Sequence, residues 1–203
     1  MCFYFKLTQN AQMLEHRFNA SLEHGMMETG GFFNGFQHPL TPVITNAAPE
    51  RIQWLKWGLI PPWAKDETIA SATLNARVET IAVKPAFKYV LHQRCLIPAD
   101  GFYEWQWLDE KGKKKQKYLL TLPDGELFAF AGLWSEWKNP INGQSIKTFS
   151  IVTMEANPLM RQIHNSKKRM PVITTRNHEN DWLNNQALII QNDRLKALKI
   201  GEG

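Results

Sequence analysis

The chain has 203 residues, 43% of them hydrophobic and 21% charged, with two cysteines, a net charge of +5 and a pI of about 9.2. A globule of this size buries roughly 70% of its unfolded surface without disulfides or metal, and two cysteines make neither a disulfide framework nor a zinc site. No stretch approaches the roughly 20 apolar residues of a membrane span, and "MCFYFKLTQNAQ" lacks the basic start and apolar run of a secretory signal. The expectation is one domain over residues 1–203 in the reducing cytoplasm.

In chain order, "TQNAQMLEHRFNASLEHG" predicts the first helix, with Thr8 as N-cap, Leu14, Phe18 and Leu22 four residues apart, and Gly25 as its stop. "TGGFFNGFQHPLTP", punctuated by Gly and Pro, reads as loop. "PVIT" and "RIQWLKWGLI" read as strands before a turn at "PPW", and "KPAFKYVLHQ" as a short helix with Pro85 in its first turn. Strand signals then dominate: "RCLIPA", "GFYEWQW", "KYLLTL", "ELFAFAGLWSEW" and "KTFSIVTM" are rich in β-branched and aromatic residues. Turn signals at "DEKGKK", "PDGE" and "NPINGQ" separate them. The basic run Lys111–Lys117 reads as a solvated hairpin tip. "NPLMRQI" is a short helix capped by Asn157, "RMPVIT" a strand and "NHENDWLNN" a late helix. Helices do not alternate with strands, which argues against a doubly wound parallel sheet. The fold class is α+β, one domain with a mainly antiparallel, curled, barrel-like sheet and peripheral helices. Eight tryptophans supply either extra core aromatics or a surface on which bases stack.

Cys2 follows the initiator methionine, and a small second residue lets an aminopeptidase remove Met1. The mature chain then begins with an amine and a thiol on neighbouring carbons. A free thiol titrates near ~8.5 and an α-amine near ~7.7–8.0, so part of the amine is uncharged at neutral pH. Such an amine condenses with an aldehyde to an imine, and the thiol beside it closes a thiazolidine ring at high effective molarity. The ring-opened sugar of an abasic site in DNA is one macromolecular aldehyde. The same pair also suits an N-terminal-nucleophile amidohydrolase, in which the thiolate attacks an amide and the amine is the base. A third reading makes Cys2 incidental, packed in the first strand of a nucleic-acid-binding β-barrel. Cys95, in the apolar run "RCLIP", reads as a small buried hydrophobe.

"LNARVET" alternates Asn75, Arg77 and Glu79, on one face if extended. Asparagine can hold an amine or a substrate oxygen and arginine a phosphate; a strand's polar face is the plain alternative. Glu104 lies between large aromatics in "GFYEWQW", where a carboxylate is either a general acid or base with a raised pKa or half of a salt bridge to an arginine. His164 ends a short helix before the basic loop "KKR" at Lys167–Arg169 and suits proton transfer or a structural role. Trp63, after two prolines, is either a presented ring or a hydrophobic lid.

Together "MC", "WGLIPPWA", "LNARVET", "RCLIPADGFYEW", "FAGLW", "FSIVT" with "AN", and "IH…RMPVI" resemble the SOS response-associated peptidase (SRAP) family, in the family's order from residue 2 to about 174. The resemblance implies loss of Met1, autocatalytically as the peptidase label suggests, and covalent capture of abasic sites in single-stranded DNA through Cys2, with lyase-type action. It assigns catalytic roles to Cys2, Asn75, Glu104 and His164, and DNA contacts to Arg77, Trp63 and Asn34; the basic loop itself adds Lys168 and Arg169 as candidate DNA contacts. No cofactor or metal is implied, and the protein is expected to act as a monomer, in the cytoplasm and associated with the nucleoid. Two departures stand out. Phe3 and Tyr4 replace the family's Gly-Arg, removing an arginine that can touch DNA, and three extra residues separate "IH" from "RMP".

Overall fold

The structure, a computed structural model, describes residues 1–23, 31–186 and 194–201. The elements in order are β1 (Tyr4–Leu7), α1 (Ala11–Phe18), β2 (Ser21–Leu22), β3 (Gly31–Asn34), β4 (Leu40–Thr45), β5 (Ala48–Trp57), β6 (Asn75–Arg77) and β7 (Arg94–Ala99). They continue with β8 (Gly101–Trp107), β9 (Lys115–Thr121), β10 (Phe128–Lys138), β11 (Ser145–Glu155), α2 (Pro158–Ile163), β12 (Arg169–Pro171), β13 (Ile173–Thr174), α3 (Glu179–Leu183) and β14 (Lys196–Ile200). The α+β, mainly antiparallel reading holds.

The larger sheet runs β12-β11-β10-β7-β4-β5-β2, and a parallel pairing of β11 with β5 (Thr148 with Lys56, Phe149 with Trp57) closes β5-β4-β7-β10-β11 into a barrel. Closure leaves these five strands no open edge among themselves. A second, open sheet runs β14-β9-β8-β1-β3. Phe5, Trp57, Phe102, Phe130 and Phe149, all fully buried, fill the interior. Phe5 lies 5.3 Å from the Trp57 ring and 5.8 Å from Phe130, in the offset and edge-on contacts that aromatic rings prefer. Gly132 permits tight packing between neighbouring strands: a Cβ there would meet Ile97 Cδ1 at 2.5 Å, Cys95 Sγ at 2.8 Å and Ser150 O at 2.9 Å.

Several expectations are corrected. α1 is shorter than predicted: Asn10, not Thr8, caps it by accepting from the Met13 N–H, and Asn19 stops it in the left-handed conformation. Thr8 instead donates its N–H and hydroxyl to Asp100 Oδ2, both at 2.6 Å. Leu22 belongs to β2, and Gly25 lies outside the described residues. The stretch read as loop contains β3, where Phe33 packs inward against Phe5 while Phe32 faces out. The short helix at "KPAFKYVLHQ" is a series of turns. Its buried Phe87 and Val90 are three residues apart, and the bonds Phe87 N–H to Lys84 O, Val90 N–H to Phe87 O and Gln93 N–H to Val90 O follow that spacing. Lys115 and Lys117, read as part of a hairpin tip, lie in β9. β14 adds an edge strand that the sequence pattern did not reveal. Of the tryptophans, Trp57, Trp134, Trp137 and Trp182 are core, whereas Trp63 is 51% exposed.

Because the groups facing Gly132 are packed side chains and a backbone carbonyl, Gly132→Ala is expected to destabilise the protein by about 1–3 kcal/mol, the usual range for overpacking. Chemical denaturation checks this. An unchanged midpoint would mean that β7 and β11 can move apart.

Candidate active site

The site forms where the open sheet meets the end of α2. β1 pairs antiparallel with β8, Phe5 opposite Phe102, so Glu104, two residues further along β8, comes level with the start of the chain. Alternation along β8 turns Phe102 and Glu104 inward, leaving Glu104 only 5% exposed. Asn75 arrives on β6, held parallel to β11 with Asn75 opposite Ile151. Trp57 Nε1–H fixes the entry to β6 by donating to Leu74 O at 2.9 Å. His164 is the C-cap residue of α2, a helix that begins, as expected, with Asn157 accepting from the Met160 N–H.

These side chains converge on the first two residues. The Met1 amine lies 3.2 Å from Glu104 Oε1 and 3.1 Å from each ring nitrogen of His164. Nδ1 of His164 is 2.7 Å from Arg169 O, which assigns the ring proton to Nδ1 and the lone pair to Nε2. Nε2 is 3.9 Å from Glu104 Oε2. Asn75 Nδ2 donates to Cys2 O at 3.0 Å, and the Cys2 side chain is fully buried. Met1, Tyr4, Glu104, Trp105, His164 and Ser166 are among the residues lining a cleft of about 310 Å³.

The loop that runs on to Arg169 leaves His164 beside the Met1 amine and Glu104. Asn165 clasps β8: Trp107 N–H donates to its Oδ1 at 3.0 Å, and its Nδ2 donates to Trp107 O at 2.9 Å. Gln106 Nε2 adds a bond to Gln162 O at 3.0 Å. Histidine and carboxylate are thus tied together through the backbones that carry them. A polar residue directly after a helix end was the only sequence cue to Asn165.

Burial dominates the electrostatics. It raises the Glu104 carboxyl to about 7, although the amine beside it pulls the other way. It lowers the Met1 amine, opposed by Glu104, and lowers His164 to about 4, reinforced by the positive amine. The Cys2 thiol is pushed far up by burial and then by the Glu104 charge, so with Met1 in place it is protonated and unreactive. Glu104 faces an amine and an imidazole, and among the described residues no arginine lies within ion-pair distance of it. Among the described residues no cluster of acidic, histidine or cysteine side chains forms a metal site.

The expected DNA contacts are more scattered. Arg77 and Lys168 are exposed, Lys168 in a left-handed turn at φ 52°. Asn34 caps a short turn by accepting from the Phe36 N–H at 3.1 Å. Trp63 lies outside the cleft, beside Pro62, Pro85 and Tyr89, its Nε1–H 3.4 Å from Pro85 O. Arg169 is buried and forks onto Glu79 at 2.7 and 2.9 Å, because a guanidinium on a buried strand needs a carboxylate. Glu79 lies in the turn after β6 and does not extend the face of Asn75 and Arg77.

The family model described as SOS response associated peptidase (SRAP) matches residues 1–199. The chain belongs to the SRAP family. Among SRAP relatives, "Abasic site processing protein YoqW" of Bacillus subtilis is 47% identical over 143 residues, covering 70% of this chain and 61% of the relative. "Abasic site processing protein HMCES" of Gallus gallus is 28% identical over 182 residues, covering 78% of this chain and 52% of its own length. This chain therefore spans only part of the curated relatives it matches. A crystal structure of a protein from Bacteroides thetaiotaomicron superposes with a TM-score of 0.88 at 30% identity, covering 98% of this chain and 92% of the other.

The two perturbed side chains give opposite pH dependences. A carboxyl raised to about 7 favours the folded state most below its ordinary value near 4.5, and that advantage is lost as pH rises through 7. An imidazole lowered to about 4 favours folding above 6.5, and the advantage is lost as pH falls through 4. Between about 4.5 and 6.5 the slopes offset each other. In denaturant titrations, His164→Ala is expected to lose stability as pH rises across this interval and Glu104→Gln as pH falls, each by up to about 1.4 kcal/mol per pH unit. Parallel, unaltered profiles for the two variants would refute the assignment.

Proposed function

We propose that the protein removes its own Met1 and then captures abasic sites in single-stranded DNA through Cys2. The observation that carries this reading is the docking of the chain's amine between Glu104 and His164, directly above a buried Cys2 whose carbonyl Asn75 holds. An acid–base pair placed on an N-terminus, instead of on an outside substrate, suits chemistry performed by the terminus. The printed names of the curated relatives, which describe abasic site processing proteins, support the same substrate.

In the first step water hydrolyses the Met1–Cys2 amide, with Glu104 and His164 placed to move the protons; methionine leaves and Cys2 gains a free amine. In the second, that amine adds to the aldehyde carbon of the open abasic sugar. Glu104, poised near neutrality, protonates the departing hydroxyl, and loss of water leaves an imine. The Cys2 sulfur then adds to the imine carbon while its proton passes to the nitrogen, closing a thiazolidine. Lyase-type action branches from the imine: removal of a proton from the adjacent sugar carbon expels the 3′-phosphate. Ring closure saturates the imine carbon and stops that branch, so the thiol protects the strand. Arg77 and Lys168 contact phosphates, and Trp63 and Asn34 border the strand. The protein acts as a monomer.

Intact mass spectrometry reads loss of Met1, and a denaturing gel with a single-stranded oligonucleotide carrying one abasic site reads the crosslink. Cys2→Ala is expected to abolish the crosslinked band, and Glu104→Gln to slow its formation by about 10²–10⁴-fold, the usual contribution of a positioned proton-transfer group. A band unchanged in Cys2→Ala would overturn the mechanism. A purely reversible complex in both proteins would favour the non-catalytic binding module, and amide hydrolysis without a DNA complex the amidohydrolase.

A further inference from the structure

The outer face of the open sheet carries a patch of aromatic rings and lysines that the chemistry above does not use. Alternation along β8 sends Tyr103, Trp105 and Trp107 outward, and along β1 it does the same for Tyr4. Phe32 of β3 and Phe36 of the following turn complete the patch, 52% and 57% exposed. Ring centroids are 5.0 Å apart for Tyr4 and Trp105, 5.5 Å for Tyr4 and Phe32, and 5.3 Å for Phe32 and Tyr103. At the centre stands Lys117, paired with Trp105 across β8 and β9. Its Nζ is 4.3 Å from the Tyr103 centroid and 5.6 Å from those of Phe32 and Trp105. Lys115 sits likewise 5.7 Å over Trp107. Among the described residues neither lysine has a carboxylate within ion-pair distance.

Contiguous exposed rings mark a binding surface, and the lysines select its occupant. Unpaired ammonium groups held among ring faces suit a partner that alternates anionic groups with flat π surfaces, which is single-stranded nucleic acid. The face also runs into the active-site cleft, because Tyr4, Trp105 and Lys115 line both. We propose that it is a stacking platform for the undamaged nucleotides on one side of the abasic site, with Lys117 contacting their phosphates. This rests on the reading that the cleft receives an abasic strand. Tyr4, standing where the family resemblance leads to an arginine, replaces a phosphate contact with a stacking one.

The test uses the native protein, Phe32→Ala and Lys117→Gln, each with a minimal abasic oligonucleotide and with oligonucleotides extended by about 12 nucleotides on one side or the other, within the usual site size of such platforms. Native protein is expected to gain affinity from extension on one side only. Phe32→Ala should cut that gain about tenfold, within the range for loss of one stacked base. Lys117→Gln should lower the slope of log affinity against log salt by about 0.7, the value for one single-strand phosphate contact. Both variants should crosslink the minimal oligonucleotide at the native rate. Equal gains in native and variant proteins would overturn the platform while leaving crosslinking intact. A native protein that forms no abasic-dependent crosslink would overturn the underlying reading instead. Variants that shift only a monomer–dimer equilibrium in sedimentation, with DNA binding unchanged, would make the face a self-association surface and also overturn the proposal.

Discussion

The site depends on one electrostatic arrangement: an amine, a carboxyl and an imidazole taken out of water together. Each pays in desolvation for its charged form, and none has an arginine to offset it. Burial therefore moves the carboxyl up to about 7 and both nitrogen bases down, so that each group is shifted toward its uncharged form. Such a cluster is stable only inside rigid walls. The closed barrel supplies them, with Trp57 both filling the core and fixing the approach of Asn75, and the docking of β1 against β8 supplies the rest.

Much of this was legible in the residues. "GFYEWQW" announces a strand with one inward carboxylate, and β8 spans those residues with Glu104 buried. Asn157 before a proline announces α2, and the structure caps it so. The terminal cysteine and "NAR" suggested partners, and one hydrogen bond joins them. What was not legible depended on contacts distant in sequence. Phe32 and Phe33 look like loop residues until β1 pairs beside them. The basic character of Arg169 suggests a surface, yet the strand that carries it runs inward and Glu79 meets it there. Lys115 and Lys117 resemble their solvated neighbours until cross-strand pairing sets them over aromatic rings.

The same comparison separates two levels of the site. The candidate groups Asn75, Glu104 and His164 sit on strands or at a helix end and Cys2 just ahead of β1, each on or beside an element with a clear local signal. The surfaces around them are composites. Residues from β1, β3, β8 and β9 make the aromatic face, and no contiguous stretch of sequence encodes it. Departures from a family pattern, such as Phe3 and Tyr4, therefore gain meaning only from what they touch. Here they join a ring cluster through Phe36, which lies 4.7 Å from Phe3 and 6.0 Å from Tyr4.

The clasp of Asn165 on Trp107 divides its loop in two. Everything before it is bolted to the strand that bears the carboxylate. The residues between it and Arg169 are held by the site itself: Ser166 lines the cleft, and Lys168 N–H donates to His164 O at 2.8 Å. A tag or fluorophore grafted into that segment would therefore press on the cleft and on the backbone bond to the imidazole's own residue, which makes the loop a poor place for cargo.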